Sequence, residues 1–393
     1  EVSPRDAEAL NTLGYVQMRS GLKEEAARTL GRAIEAAPTH LAALSNLAGC
    51  LRGMGKLDEA AAVFERLLAA HPDNEFAYAD ANLILQMGMA REAAACLRKA
   101  TARFPQSVWL KRDLCVGLNY TDDATAGELL HAHAGLGRMM GAPGEVAAVD
   151  TNPERVVRVG IVSADLREHS VAWFVRPLLA LGEGFEVVVY SGAGKDDEVA
   201  RELRGIVREA GRWKEVSRLS NPALGEMIRK ESIDIAIDLG GWTAGSRLFA
   251  LANRAAPVQI SYLGYPNTTG LKAIDYRIVD SATDPEGAEA LATERLIRLD
   301  PCFVCYRPPG DAPGIGGEAP IVQSHDRRHG GVTFGSFNSI KKLTPTTAGL
   351  WAAALKAVPR SRLRIKSPGL SSERARRHIG EMLGAAGIEA ERV

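Results

Sequence analysis

Asp165 and His169 lie four residues apart in SADLREHS (163–170), directly after an apolar run that ends at Val162. A carboxylate can take a proton from a hydroxyl, and a nearby imidazole can orient or share that proton. The plainer reading of the same pair is Asp165 as a helix cap and His169 as a loop residue. A second segment, DLGGWTAGSR (238–247), places paired glycines after an apolar stretch, where backbone can approach a ligand closely. A helix beginning near Gly245 would favour an anion there, although an ordinary strand-to-helix turn has the same composition. The third segment, LGYPNTTG (263–270), combines a fixed turn with threonine hydroxyls and backbone amides. The fourth, FNSIKK (337–342), ends in a lysine that could meet a phosphate as a point charge, or simply stand in solvent. Neither G-x-G-x-x-G nor a Walker sequence occurs, which argues against a nicotinamide cofactor or a P-loop.

Metal chemistry has little support in the spacing. Cys302 and Cys305 form a single C-x-x-C. A zinc site would need a second pair nearby, and His325 and His329 lie beyond a Pro/Gly-rich stretch. The pair is expected to be buried strand cysteines. His131 and His133 are two apart, which on a helix points them to different sides. The five cysteines are odd in number and dispersed, a pattern of a reducing, cytoplasmic setting.

The elements that must position these residues change character along the chain. In the first hundred residues Gly21, Gly55 and Gly88 are spaced 34 and 33 apart, and Ala26, Ala60, Ala93 and Pro38, Pro72, Pro105 keep that spacing. This is the tetratricopeptide period: glycine makes the inter-helix turn, alanine admits close helix approach, and proline closes each unit. Residues 1–107 are expected to form three such repeats, and 108–154 a helical linker bounded by Pro153. From Arg155 the pattern becomes VVRVGIVS, FEVVVY, IDIAIDL, VQISYL and DYRIVD with helical stretches between, predicting a doubly wound parallel sheet over 155–308. Residues 309–330, rich in Pro, Gly and charge, read as a linker. GVTFGSF and RLRIKS with two helices then open a second Rossmann-like unit over 331–393, with the last residues expected to enter another strand. In such sheets ligands bind beyond the carboxyl ends of the strands, where all four segments fall.

Composition narrows the classes further. Lys+Arg and Asp+Glu both number 48, so the basic excess of a dedicated nucleic-acid binder is missing. A hydrophobic fraction of 46% with 24% charge is that of a globular chain. No apolar run approaches the length of a membrane span, and the first residues carry neither a signal peptide nor an initiator Met, as at a fragment edge.

Taken in order, the repeats, RVGIVSADLREHSVAWF, FEVVVYS, IDIAIDLGGWTAGSRLFALANRAAPVQISYLGYPNTTGLKAIDYRIVD, LIRLDPCFVCYRPP and FGSFNSIKKLTPTTAGLWAAALKAVPRSRLRIKS resemble the bacterial branch of the protein O-GlcNAc transferase family, the SPINDLY-type glycosyltransferases. The resemblance covers nearly the whole chain. It implies an α plus α/β architecture, tetratricopeptide repeats followed by a GT-B type glycosyltransferase. It implies UDP-N-acetylglucosamine as donor, Ser/Thr hydroxyls of proteins as acceptors, inversion at the anomeric carbon, and no metal or other cofactor. Protein or peptide acceptors would be bound through the repeats, with neither nucleic acid nor membrane as partner. By the same resemblance Asp165 matches a proton acceptor or relay and His169 the histidine at the donor–acceptor junction. Leu263, Gly264 and Pro266 match the loop lining the sugar and acceptor pocket. Asn338 and Lys342 match the second half's FN-x-x-x-K, whose lysine contacts the donor diphosphate. Asp165 and His169 are expected to face Lys342 across the cleft.

The chain departs from that pattern in places. Ser170 stands where the family often has Pro, Trp242 where bacterial relatives usually have His, and Ala292 where a Tyr is usual. Asn267 replaces a Gly, although Asn tolerates left-handed conformations. The family's uridine site would fall after Val393, so the chain is expected to be truncated and nearly inactive on its own. Two other functions fit: a non-enzymatic tetratricopeptide scaffold with a degenerate transferase domain, suggested by Trp242, and transfer of a different nucleotide-activated hexose.

Overall fold

The computed structural model describes residues 6–145, 152, 154–207, 211–308 and 331–393. Pro153, His325, His329 and the 309–330 linker lie outside the described residues. The chain divides into two compact units: Glu1–Ala124 with Gly317–Val393, and Thr125–Gly316.

In the first unit, α1 (Ala7–Arg19), α2 (Lys23–Ala36), α3 (Leu41–Gly53) and α4 (Leu57–Ala70) pair as two helical hairpins. A third follows from the 3-10 turn Glu75–Tyr78, α5 (Ala81–Gln86) and α6 (Ala90–Arg103), with α7 (Val108–Leu118) packed on α6. The 34-residue logic is visible residue by residue. Gly21, Gly55 and Gly88 turn the chain with left-handed φ of 84°, 76° and 80°. Ala26, Ala60 and Ala93 are fully buried, where a larger side chain would hold adjacent helices apart. Leu44, Phe64, Leu67 and Leu97 fill the core between them.

The second unit opens with α8 (Ala126–Met139). Then come β1 (Val157–Ser163), α9 (Ser170–Leu179), β2 (Phe185–Ser191), α10 (Glu198–Ile206), β3 (Trp213–Glu215) and α11 (Asn221–Lys230). It continues with β4 (Ile235–Asp238), α12 (Leu248–Leu251), β5 (Val258–Ser261), β6 (Tyr276–Val279) and β7 (Arg295–Arg298). The seven strands form one parallel sheet in the order β3-β2-β1-β4-β5-β6-β7. Ile161, Val162, Val189 and Ala236 are fully buried, which explains the unbroken apolar runs of the central strands. The strand order reverses between β1 and β4, the switch point at which open α/β sheets leave a crevice. There Val162 pairs with Asp238, and Asp238 with Ser261, so the carboxyl ends of β1, β4 and β5 come level.

The remainder of the first unit is a two-stranded parallel sheet, β8 (Thr333–Ser336) and β9 (Arg362–Ile365), with helices Pro345–Ala357 and Glu373–Ala385. The last residues form a 3-10 turn, Ala390–Arg392, where a strand was expected. Arg392 explains this: its guanidinium is engaged by the carbonyls of Leu355, Val358 and Ser361, which holds the turn against the helix end.

Two carboxylates, one on α4 of the repeats and one just after α7, cap this part of the unit. Asp58 accepts from the Ser372 hydroxyl at 2.6 Å and from the Glu373 and Arg374 amides at 2.8 and 3.3 Å, at the start of helix Glu373–Ala385. Asp122 accepts from the Thr346 amide and hydroxyl at 3.1 and 2.8 Å, at the start of helix Pro345–Ala357, and pairs with Arg91. Helix N-termini carry orphan amides and a partial positive charge, so each carboxylate meets both needs. Among the described residues no helix is long and apolar enough to cross a membrane.

Candidate active site

The loop between β1 and α9 is pinned at three points. The Asp165 amide donates to Ser163 Oγ at 3.0 Å, the Glu168 amide to Asp197 at 3.0 Å, and the Val171 amide to His169 Nδ1 at 3.3 Å. His169 is therefore the N-cap of α9, and Asp165 is not a cap. The cap fixes the imidazole tautomer. Nδ1 accepts, so the neutral ring carries its proton on Nε2, which lies 3.9 Å from Asp165 Oδ1, beyond direct hydrogen-bond distance. Asp165 is buried and has Arg167 at 3.5 Å. The arrangement pairs a carboxylate able to accept a proton with an N–H donor beside it.

A second carboxylate ends β4. Asp238 is 1% exposed; its Oδ2 accepts the Gly241 amide at 2.6 Å, while Oδ1 has no hydrogen-bond partner among the described residues. Burial pushes its pKa up to about 7; the Gly241 and Gly240 amides oppose this, and the Asp165 charge adds to it. Held protonated at lower pH, Asp238 removes one negative charge from beside Asp165. The following segment has no helix at Gly245: α12 begins at Leu248 and is one turn long, so the expected anion-binding helix end is replaced by a turn in which Ser246 donates to the Gly241 carbonyl.

The LGYPNTTG loop crosses the end of β5. A Cβ on Gly264 would lie 1.9 Å from the Leu239 carbonyl oxygen and 3.4 Å from Val171 Cγ2, so this loop abuts both the β4 loop and the start of α9. Asp165 and His169 thus lie at the carboxyl ends of the central strands together with the loop of Leu263, Gly264 and Pro266. Leu263 and Gly264 are half-buried and Pro266 exposed. The left-handed residue is Leu263, at φ 71°, and not Asn267, whose side chain instead accepts the Thr268 amide at 2.8 Å and closes the turn from within.

Three groups clamp the loop. Buried Glu294 accepts from the Thr268 hydroxyl at 2.6 Å and from the Thr269 amide at 2.7 Å. Trp242, fully buried and edge-on to Phe249, donates Nε1–H to the Thr269 carbonyl at 2.8 Å. His133 on α8 accepts from the Tyr265 hydroxyl at 2.6 Å. Trp242 therefore supplies an N–H to the loop, as a ring nitrogen at the same place could.

Asn338 and Lys342 belong to the other unit. Both are exposed and line one cavity of about 220 Å³ with Ser336, Thr347 and Trp351. Cys302 and Cys305 are not strand residues. They follow β7 in an irregular segment, Cys302 exposed and Cys305 partly buried beside the Tyr262 hydroxyl, because the sheet ends at Arg298.

Sequence reasoning missed Asp238, His133 and Glu294. Asp238 had a signal, a carboxylate closing an apolar strand before paired glycines. His133 and Glu294 had none, since their partners lie 132 and 25–26 residues away.

Comparison with known proteins adds the following. Glycosyl transferase family 41 matches residues 142–306, and a tetratricopeptide repeat family matches 19–83. A probable UDP-N-acetylglucosamine–peptide N-acetylglucosaminyltransferase SPINDLY of Solanum lycopersicum is 36% identical over 284 residues, covering 71% of this chain and 30% of that protein. Its counterpart in Arabidopsis thaliana is 35% identical with the same coverage. The chain thus spans less than a third of the length of these plant relatives. The solved structure of a Thermobaculum terrenum O-GlcNAc transferase mutant superposes with a TM-score of 0.87 at 30% identity, over 98% of this chain and 73% of that one. With its helical repeats followed by a parallel α/β domain, the chain belongs to the tetratricopeptide-containing O-GlcNAc transferase family of GT-B fold, glycosyl transferase family 41.

Proposed function

We propose that the intact protein transfers N-acetylglucosamine from UDP-N-acetylglucosamine to Ser/Thr hydroxyls of proteins in the cytoplasm, with inversion and without a metal ion. The observation that carries the reading is the β1–α9 loop, where a buried carboxylate and a tautomer-fixed imidazole meet at the switch point of the sheet. The activity named for the plant relatives supports the donor and the class of acceptor.

The residue roles are those the family resemblance implies, and for Asp165 and His169 the hydrogen bonding of the β1–α9 loop supports them. Asp165 takes the acceptor hydroxyl's proton as the oxygen attacks the anomeric carbon. His169, whose Nδ1 is committed to the Val171 amide, donates through Nε2 and orients Asp165 or the sugar; it does not act as the base. Leu263, Gly264 and Pro266 line the sugar and acceptor. Lys342, with Asn338, neutralises the diphosphate as it departs, the task a metal would otherwise perform. The repeats present the protein acceptor from their concave surface.

The test uses the intact protein with UDP-N-acetylglucosamine and mass spectrometry of acceptors. Asp165→Asn lowers turnover about 10²–10⁴-fold, the usual contribution of one proton-transfer group. His169→Ala lowers it strongly as well. Lys342→Ala is rescued by a donor with an activated aryl-phosphate leaving group more than Asp165→Asn is, because such a donor needs less cation but the same base. Added chelator leaves turnover unchanged. Wild-type turnover in Asp165→Asn, or equal rescue of both variants, removes these roles.

A further inference from the structure

The loop that carries Gly264 and Pro266 is held by a residue far from it in sequence. His133 is fully buried on α8. Its Nδ1–H donates to the Leu129 carbonyl one helical turn back, at 2.7 Å, which leaves Nε2 as a bare acceptor. The Tyr265 hydroxyl donates to that nitrogen at 2.6 Å, the rings tilted by 54° with centroids 5.7 Å apart. Beside this bond the two backbones touch. A Cβ on Gly137 would lie 1.8 Å from the Gly270 carbonyl oxygen, and one on Gly270 2.0 Å from the His133 carbonyl oxygen. Helix α8 therefore holds both ends of the segment from Tyr265 to Gly270, by a side-chain hydrogen bond at Tyr265 and by direct backbone packing at Gly270.

The loop needs such a restraint. Leu263 is in a left-handed conformation that a branched residue adopts only where its surroundings over-determine it. The restraint acts one residue from each of Gly264, half-buried, and Pro266, exposed, in the loop that follows β5. Helix α8 also lies outside residues 142–306, the stretch that matches family 41.

We propose that His133 is a positioning residue for transfer: through the Tyr265 hydroxyl it fixes the loop bearing Gly264 and Pro266 in the conformation that receives the acceptor hydroxyl. The inference rests on the transferase reading above. It assigns α8, between the repeats and the family 41 stretch, a part in acceptor binding.

The experiment uses the intact protein, UDP-N-acetylglucosamine and the best acceptor peptide of a synthetic Ser/Thr library. Tyr265→Phe keeps the ring and the His133–Leu129 bond and removes the hydroxyl that meets His133. It is expected to lower kcat/KM for the peptide roughly 10-fold, the scale of one buried hydrogen bond broken with its partner left unpaired. UDP affinity by calorimetry stays at the wild-type value. His133→Phe gives the same loss, His133→Gln, which keeps an acceptor oxygen, recovers most of it, and the double variant His133→Phe/Tyr265→Phe is no worse than either single one. A role in folding alone predicts a lower Tm with unchanged kcat/KM per folded molecule, and that result overturns the proposal. So do losses that multiply in the double variant. No transfer by the wild-type protein overturns the transferase reading and this inference with it; wild-type transfer with undiminished Tyr265→Phe turnover overturns the inference alone.

Discussion

Asp238→Asn isolates the electrostatic strain at the switch point. The carboxyl is 1% exposed, with one oxygen on the Gly241 amide and the other unpartnered among the described residues. Its pKa is raised from 3.8 to about 7, chiefly by burial. A raised carboxyl pKa means that the folded state holds the proton more tightly than the unfolded chain. The associated stability is fully present below the unfolded pKa and is lost as pH rises through the folded one. At 1.36 kcal/mol per unit, the whole shift corresponds to about 4 kcal/mol, of which about 3 kcal/mol falls between pH 5 and pH 8. Asparagine is close to isosteric with the protonated acid. Its carbonyl can keep the Gly241 bond while its amide occupies the unpartnered oxygen's place without ionising. Relative to wild type the variant should therefore be more stable by about 1.6 kcal/mol at pH 5 and by about 4 kcal/mol at pH 8, before any cost of its own amide. Both gains should fall short by about 1–3 kcal/mol if the amide finds no acceptor, which leaves the difference of about 3 kcal/mol between the two pH values intact. Urea unfolding of both proteins at each pH measures the difference. A wild-type-minus-variant stability that stays constant from pH 5 to pH 8 would refute the argument, since it would mean that Asp238 ionises as readily folded as unfolded.

Other outcomes are expected elsewhere in the fold. Asp58→Ala and Asp122→Ala should each cost about 1–2 kcal/mol in the first unit, from lost helix capping, measured by urea unfolding. Burial raises the pKa of both carboxyls, but the hydrogen bonds from Ser372, Glu373 and Arg374 to Asp58, and from Thr346 and Arg91 to Asp122, outweigh it and hold them below the usual carboxylate range. Their contribution is thus present above the unfolded pKa and disappears as pH falls through the depressed values, so both variants should approach wild-type stability in acid. Gly137→Ala should destabilise the second unit by at least about 1–3 kcal/mol, because its methyl meets backbone that cannot rotate away; calorimetric Tm reads this. Trp242→Phe should cost about 1–3 kcal/mol by leaving the Thr269 carbonyl unpaired, whereas Trp242→Ala should cost about 3–5 kcal/mol.

The repeats were legible because each Gly–Ala–Pro set marks a physical event, a turn, a crossing and a stop, and these recur at fixed spacing. The central strands were legible because burial on both faces makes them continuously apolar. Strand β3, with the sequence WKE, and β7, RLIR, carried no such run. They are short elements near or at the sheet edges, where one face and one set of backbone groups remain open to polar residues. Helix α11 was also missed, its start marked only by Ser220 as N-cap before Asn221-Pro222. Asp165 and His169 were legible as a pair, but their local roles were reversed, since which of them caps α9 depends on the backbone direction at Ser170. The clamps on the LGYPNTTG loop were not legible. Each is a hydrogen bond between residues 25 or more positions apart, and no local pattern reports which distant helix a loop will touch.

The caps that Asp58 and Asp122 give to helices Glu373–Ala385 and Pro345–Ala357 bear on how this gene can change. Tetratricopeptide arrays ordinarily lengthen or shorten by whole units, because each unit contacts only its neighbours. Here the two carboxylates sit 64 positions apart, one within the array on α4 and one just after α7, and must reach two helix starts whose separation is set by a different sheet. A unit gained or lost between them would move one aspartate by a full stacking step and strip its helix of its partner. Units added ahead of α1 would disturb neither. Repeat number is thus free to drift at the outer end of the array and is frozen between α4 and α7.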